Sequence, residues 1–245
     1  MATATTDALR VAAVQFRARR DDLAASRAAL LALVEQAAST SDLVVVPEMA
    51  VTGYVFDGRD EVRPVAESPD GATFQALSAV ARRHAAWLVA GFPEQASQQL
   101  FNSALVVDPA GALHGVYRKT LLYDADLPWA EPGDSGYLAF EVAGRRVGVA
   151  ICMDLNDDRL VDWLRSESID VLAFPTNWVE EGSDVWNYWA WRLEGTDTAL
   201  VAANTWGTDR GVSFSGRSAV LWRRVVRAAA RASGDGVVRA SLPRQ

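Results

Sequence analysis

Short runs of apolar, β-branched residues recur along the chain at 9–16, 43–47, 87–92, 103–107, 146–151, 171–175 and 200–203. Polar residues seldom alternate with apolar ones inside them, so they read as strands buried on both faces. Between them the period changes. Residues 21–38 place Leu23, Leu30, Leu31, Val34 and Ala37 at helical spacing behind Asp21 and Asp22, which predicts an amphipathic helix with an acidic start. Further helices are predicted over 74–84, 159–166 and 184–198, the last rich in tryptophan. Strands alternating with helices predict an α/β fold. The segment 106–111 reads as a hairpin turn into a strand over 112–117, which adds an antiparallel part and makes the sheet mixed. Gly234-Asp235-Gly236 reads as a turn before a last strand over 237–242.

No Pro/Gly/Ser-rich linker, repeat or low-complexity tract divides the 245 residues, so one domain over 1–245 is expected. The net charge of −7 comes from interspersed acidic and basic residues, which argues against a nucleic-acid partner, since phosphate binding needs a concentrated basic face. The arginines of 223–231 read as a solvated edge. No apolar run reaches the roughly 20 residues of a membrane helix, and the N-terminal segment lacks the pattern of a signal peptide. A cytoplasmic protein is therefore expected. One cysteine, Cys152, permits no intrachain disulfide, and one cysteine with two histidines argues against a zinc site of the usual ligands.

Three chemically able residues follow strand ends, where α/β folds place functional groups. Glu48 follows 43–47, Lys119 follows 112–117 and Cys152 follows 146–151. Taken singly they have ordinary readings: a buried core cysteine, a surface carboxylate and a solvated loop lysine. Their joint order points to chemistry. Val14-Gln15-Phe16, Val45-Val46-Pro47-Glu48-Met49-Ala50-Val51-Thr52-Gly53-Tyr54, Tyr117-Arg118-Lys119-Thr120, Gly148-Val149-Ala150-Ile151-Cys152-Met153-Asp154, Pro175-Thr176-Asn177-Trp178, Ala203-Asn204-Thr205-Trp206-Gly207 and Phe214-Ser215-Gly216-Arg217-Ser218 together resemble the nitrilase, or carbon–nitrogen hydrolase, superfamily in order and spacing.

The resemblance implies a four-layer αββα sandwich of two mixed sheets flanked by helices, and a homodimer. It implies hydrolysis of a non-peptide carbon–nitrogen bond in a small amide through a thioester on Cys152, without a cofactor or metal. Glu48 would be the base, and Lys119 with the Met153 backbone N–H would hold the oxyanion. A second carboxylate after the lysine is expected at Asp126, in preference to Glu131. Tyr54, Trp129, Asn177 and Trp178 are candidate substrate contacts, Phe56 a further aromatic near the base, and Glu194 a candidate support for Lys119 or a subunit interface. Asp154 reads as a structural cap. The run Cys152-Met153-Asp154-Leu155-Asn156 also resembles amidases that deamidate N-terminal Asn or Gln. An N-carbamoyl hydrolase, a nitrilase and a catalytically idle binding subunit remain as alternatives.

Overall fold

A computed structural model describes residues 8–243; the expectation about an N-terminal leader concerns residues 1–7 and lies outside them. The chain runs β1 (Ala8–Gln15), α1 (Leu23–Ala38), β2 (Leu43–Val46), α2 (Arg59–Val62), α3 (Ala72–His84), β3 (Trp87–Ala96), β4 (Gln99–Val107) and β5 (Leu113–Arg118). It continues through β6 (Leu138–Val142), β7 (Arg145–Val149), a 3-10 turn (Cys152–Asn156), α4 (Asp158–Ser166), β8 (Val171–Thr176), α5 (Val185–Arg192) and β9 (Ala199–Asn204). The last strands are β10 (Trp206–Asp209), β11 (Val212–Ser215), β12 (Ala219–Trp222), β13 (Val225–Ala229) and β14 (Gly236–Pro243).

Two six-stranded sheets result, in the orders β14-β1-β2-β3-β4-β5 and β13-β12-β9-β8-β7-β6, with β10 and β11 as a separate hairpin. In the first sheet β1, β2 and β3 are parallel; in the second β7, β8 and β9 are. The flanking strands are antiparallel, so both sheets are mixed. Alternate side chains explain why these strands read as continuously apolar. In β2, Leu43 and Val45 enter the layer between the sheets, against Val147, Val171 and Val201. Val44 and Val46 face the other way, into the layer under α1 and α3 with Leu30, Val34 and Leu77. On the far side, Leu160, Leu164 and Trp189 of α4 and α5 cover Leu172, Phe174, Leu200 and Ala202. The layers are therefore helix, sheet, sheet, helix. No helix of the described residues is long and apolar enough to cross a membrane.

One expectation needs correction. The helix expected over 184–198 ends at Arg192, because Gly195 adopts φ 76° and the Leu193 carbonyl accepts from the Thr196 N–H and hydroxyl, closing the chain into a turn. The arginine-rich segment after Trp222 is a solvated edge, as its charge suggested. Arg223 and Arg224 take φ 51° and 62° and form the tight turn that pairs β12 with β13. Left-handed φ at both central positions gives the strand twist a short hairpin requires, here without the usual Asn or Gly. The residues beyond the turn form an exposed edge strand.

Candidate active site

Groups from both sheets meet at the ends of their strands. β2 delivers Glu48 and β5 delivers Lys119; β7 leads into Cys152, and β8 ends beside Asn177. The Lys119 ammonium donates to Glu48 Oε1 at 2.8 Å and to Asp126 Oδ2 at 2.6 Å, and all three side chains are fully buried. Asn102, on β4, spans the two carboxylates: its Nδ2 donates to Glu48 Oε1 at 2.7 Å and to Asp126 Oδ1 at 2.9 Å. The other Glu48 oxygen accepts the Asn177 backbone N–H at 2.8 Å, while Asn177 Nδ2 holds the Glu48 carbonyl at 2.9 Å. The Tyr54 hydroxyl sits 3.4 Å from the ammonium.

Cys152 opens the 3-10 turn at φ 45°, a left-handed conformation that costs a non-glycine residue about 1–2 kcal/mol. Asp154 holds the strained turn in place. Its Oδ2 accepts the Ile151 N–H at 2.9 Å and the Tyr117 hydroxyl at 2.8 Å. Its Oδ1 accepts the Thr120 N–H, the Thr120 hydroxyl and the Leu121 N–H at 3.0, 2.9 and 2.8 Å. One buried carboxylate thus ties the segment after Lys119 to the cysteine turn, a wider role than a helix cap.

Burial decides the electrostatics. It pushes the Cys152 thiol well up, and the Glu48 charge adds to the effect; Lys119, the Thr176 hydroxyl and the Asn177 N–H pull the other way. The thiol is therefore protonated at neutral pH. Glu48 is also raised, by burial first and by Asp126, against the opposing pull of Lys119 and Asn102. Lys119 alone would lose its proton more easily on burial, but the charges of Asp126 and Glu48 outweigh that and raise it. The ammonium stays charged between two acids.

A cavity of about 150 Å³ lies over Cys152, lined by Tyr123, Met153, Asn156, Asn177, Trp178, Val179, Glu181, Ser183 and Tyr188. A larger one of about 630 Å³ touches Glu48, Tyr54 and Asn177 from the side of β1 and the β10–β11 hairpin. Four expected positions fall elsewhere. Glu131 lies apart from Lys119 and pairs with Arg59 at 2.8 Å. Trp129 is 1 % exposed, donates its indole N–H to the Ala125 carbonyl and packs edge-on against Phe56; it shapes the loop that carries Asp126 and lines neither cavity. Phe56 shares that core. Glu194 is exposed and pairs with Arg224 at 2.8 Å, far from the lysine.

Asn102 and Tyr188 escaped sequence reasoning. Asn102, followed by Ser103, interrupts the apolar β4 run, and that buried polar pair was the available signal. Asn204 was part of a quoted segment without a role; its Oδ1 accepts the Trp178 N–H at 2.9 Å, and its Nδ2 donates to Ser215 and Gly216. It aligns the end of β8 with the strand beside it.

The Glu48 loop rests directly on Gly91. Backbone hydrogen bonds join Gly91 to Pro47 and Ala50, and a Cβ at Gly91 would lie 2.4 Å from Glu48 Cα and 2.6 Å from the Pro47 carbonyl. Gly91→Ala is therefore expected to cost about 1–3 kcal/mol of stability, the usual range for overpacking. It should also lower kcat/KM about a hundredfold by shifting the carboxylate. Urea midpoints and steady-state rates check it; unchanged kinetics would mean the loop does not set the position of Glu48.

Comparison with known proteins gives a consistent result. The sequence profile of the carbon-nitrogen hydrolase family matches residues 10–245. A nitrilase of Pyrococcus abyssi is 36% identical over 181 residues, covering 74% of this chain and 68% of that protein. A protein N-terminal amidase of Schizosaccharomyces pombe is 25% identical over 252 residues, covering 83% and 87%. Among solved structures, a variant of the Nesterenkonia sp. AN1 amidase with acrylamide added at its active-site cysteine superposes with TM-score 0.85 and 21% identity. It covers 96% of this chain and 93% of that one.

Proposed function

Because the chain belongs to the carbon-nitrogen hydrolase family, we propose that it hydrolyses a small amide through a thioester on Cys152 and releases ammonia or an amine. The observation that carries this reading is the enclosed set in which Lys119 bridges Glu48 and Asp126 beside the one cysteine.

Each step follows from that set. Glu48 takes the Cys152 proton as the sulfur attacks the amide carbonyl carbon. The carbonyl π electrons move to oxygen, where the Lys119 ammonium and the Met153 backbone N–H stabilise the negative charge, a contribution of about 3–4 kcal/mol for such a donor. The oxyanion collapses, the carbon–nitrogen bond breaks, and Glu48 returns the proton to the leaving nitrogen. Water then loses a proton to Glu48 and attacks the thioester; the thiolate leaves and is reprotonated. Asp126 and Asn102 do not exchange protons in this scheme. They position the ammonium and the base. The cleft volume of about 150 Å³ suits a small acyl group.

A narrower reading, removal of the side-chain amide from an N-terminal Asn or Gln, has two supports. An N-terminal amidase is among the relatives, and Asn156 of the Cys-Met-Asp-Leu-Asn run lines the Cys152 cavity, where its Oδ1 accepts the Tyr188 hydroxyl at 2.6 Å.

The test is a panel of amides, N-carbamoyl compounds, nitriles and peptides with N-terminal Asn or Gln, followed by mass spectrometry of the acid-quenched enzyme. Ammonia release and an acyl mass on the peptide containing Cys152 are expected, and Cys152→Ala should show neither while remaining folded. If no member of the panel is turned over although Cys152 alkylates readily, the proposal falls.

A further inference from the structure

We propose that Glu181 selects substrates by charge, so that amides bearing a nearby amine are preferred over uncharged ones and anionic amides are disfavoured. This rests on the amide-hydrolase reading above and narrows its substrate class. Among the described residues, Glu181 is the one charged side chain on the cavity over Cys152, and the lining includes no lysine, arginine or histidine. Among the described residues no cation pairs with it. The adjacent Glu180, by contrast, accepts the Gly182 N–H at 3.1 Å.

Its surroundings deepen the same sign. The phenol of Tyr123, on the cavity wall, is pushed up by burial and then by the charges of Asp124 and Glu181. Below, the single cation Lys119 is enclosed by two acids. The remaining walls include Trp178 and Tyr188, whose ring faces also attract cations. An incoming carboxylate would meet Glu181 and find no cation on the lining to pair with. An ammonium would meet a carboxylate. Because Glu181 is exposed, water and salt screen it, and the discrimination it supplies should be about fivefold at low ionic strength.

Two measurements test this on the purified protein. The first is the rate of Cys152 alkylation by bromoethylamine, iodoacetamide and iodoacetate, each divided by its rate with a small free thiol. The expected order is cationic above neutral above anionic. Glu181→Gln, and separately high salt, should each narrow the spread about fivefold. The second is ammonia release from β-alaninamide, butyramide and succinamic acid, read as the ratio of kcat/KM between the first two. The same variant should lower that ratio mainly through KM. An order unchanged by Glu181→Gln, or iodoacetate reacting as fast as iodoacetamide, overturns the inference even if turnover is found. Absence of turnover on all three amides, with the alkylation order and its loss in the variant intact, would instead count against the small-amide reading and leave the charge selection standing.

Discussion

Lys119→Met is expected to lower the unfolding free energy by about 3–5 kcal/mol and to abolish turnover. Breaking a buried charge set by removing one partner leaves the others uncompensated in a place water does not reach. The ammonium lies 2.8 Å from Glu48 and 2.6 Å from Asp126, and none of the three side chains is exposed. Methionine nearly preserves the length and removes the charge. Two carboxylates would then face each other across Asn102, with only its Nδ2 between them. Burial and Asp126 already push Glu48 up, and Lys119 is the largest influence holding it down; without the lysine it rises further. An acid whose folded pKa exceeds its unfolded value destabilises the fold once the pH passes the unfolded value, here 4.5, and the penalty grows until the folded value is reached. The deficit of the variant should therefore be larger at about pH 8 than at about pH 5. Urea unfolding at the two pH values checks this. Equal deficits would show that the cost is lost packing rather than stranded charge.

Glu48→Gln is expected to lower kcat about a thousandfold, within the range for a lost general base, and to slow alkylation of Cys152 while leaving the cysteine in place. The thiol does not ionise by itself at neutral pH, since burial and the Glu48 charge both favour its protonated form. A proton acceptor must therefore take part in the step. Glutamine keeps the shape but cannot accept that proton. It also turns one polar end against the Asn177 N–H or the Lys119 ammonium, which bind separate oxygens of the carboxylate. In the wild type, activity should rise with pH through a value above the ordinary carboxylate range, because Glu48 is raised and must be ionised to act. The variant should lose that rise. A pH–rate profile identical in shape for the two proteins would assign the titration to another group.

The parts of this fold open to sequence reading were those set by local apolar pattern. Leu43-Val44-Val45-Val46 reads as doubly buried because one pair fills the layer between the sheets and the other the layer under the helices. Glu48 and Cys152 stood out for the same reason, since a polar or reactive residue follows directly on such a run; Lys119 follows the more exposed strand β5 and stood out only beside them. Asn102 was harder, since its meaning lies in partners 54 and 24 positions away. Trp129 shows the opposite limit. An indole on a loop near a lysine looks like a wall, and only its bond to Ala125 and its contact with Phe56 reveal it as packing. The turn at Arg223 and Arg224 could not be read because neither residue favours positive φ; pairing of β12 with β13 imposes it.

Asp154 reaches across from the cysteine turn to the first residues after Lys119. Its importance follows from how the reactive groups are divided. The first sheet carries the acid and the ammonium; the second carries the sulfur and the N–H groups of Asn177. In the proposed mechanism neither half holds a complete reaction, so the chemistry belongs to the seam. Turnover thereby becomes a gauge of whether the two sheets are clasped, and slippage too small to expose the interior would still silence the molecule.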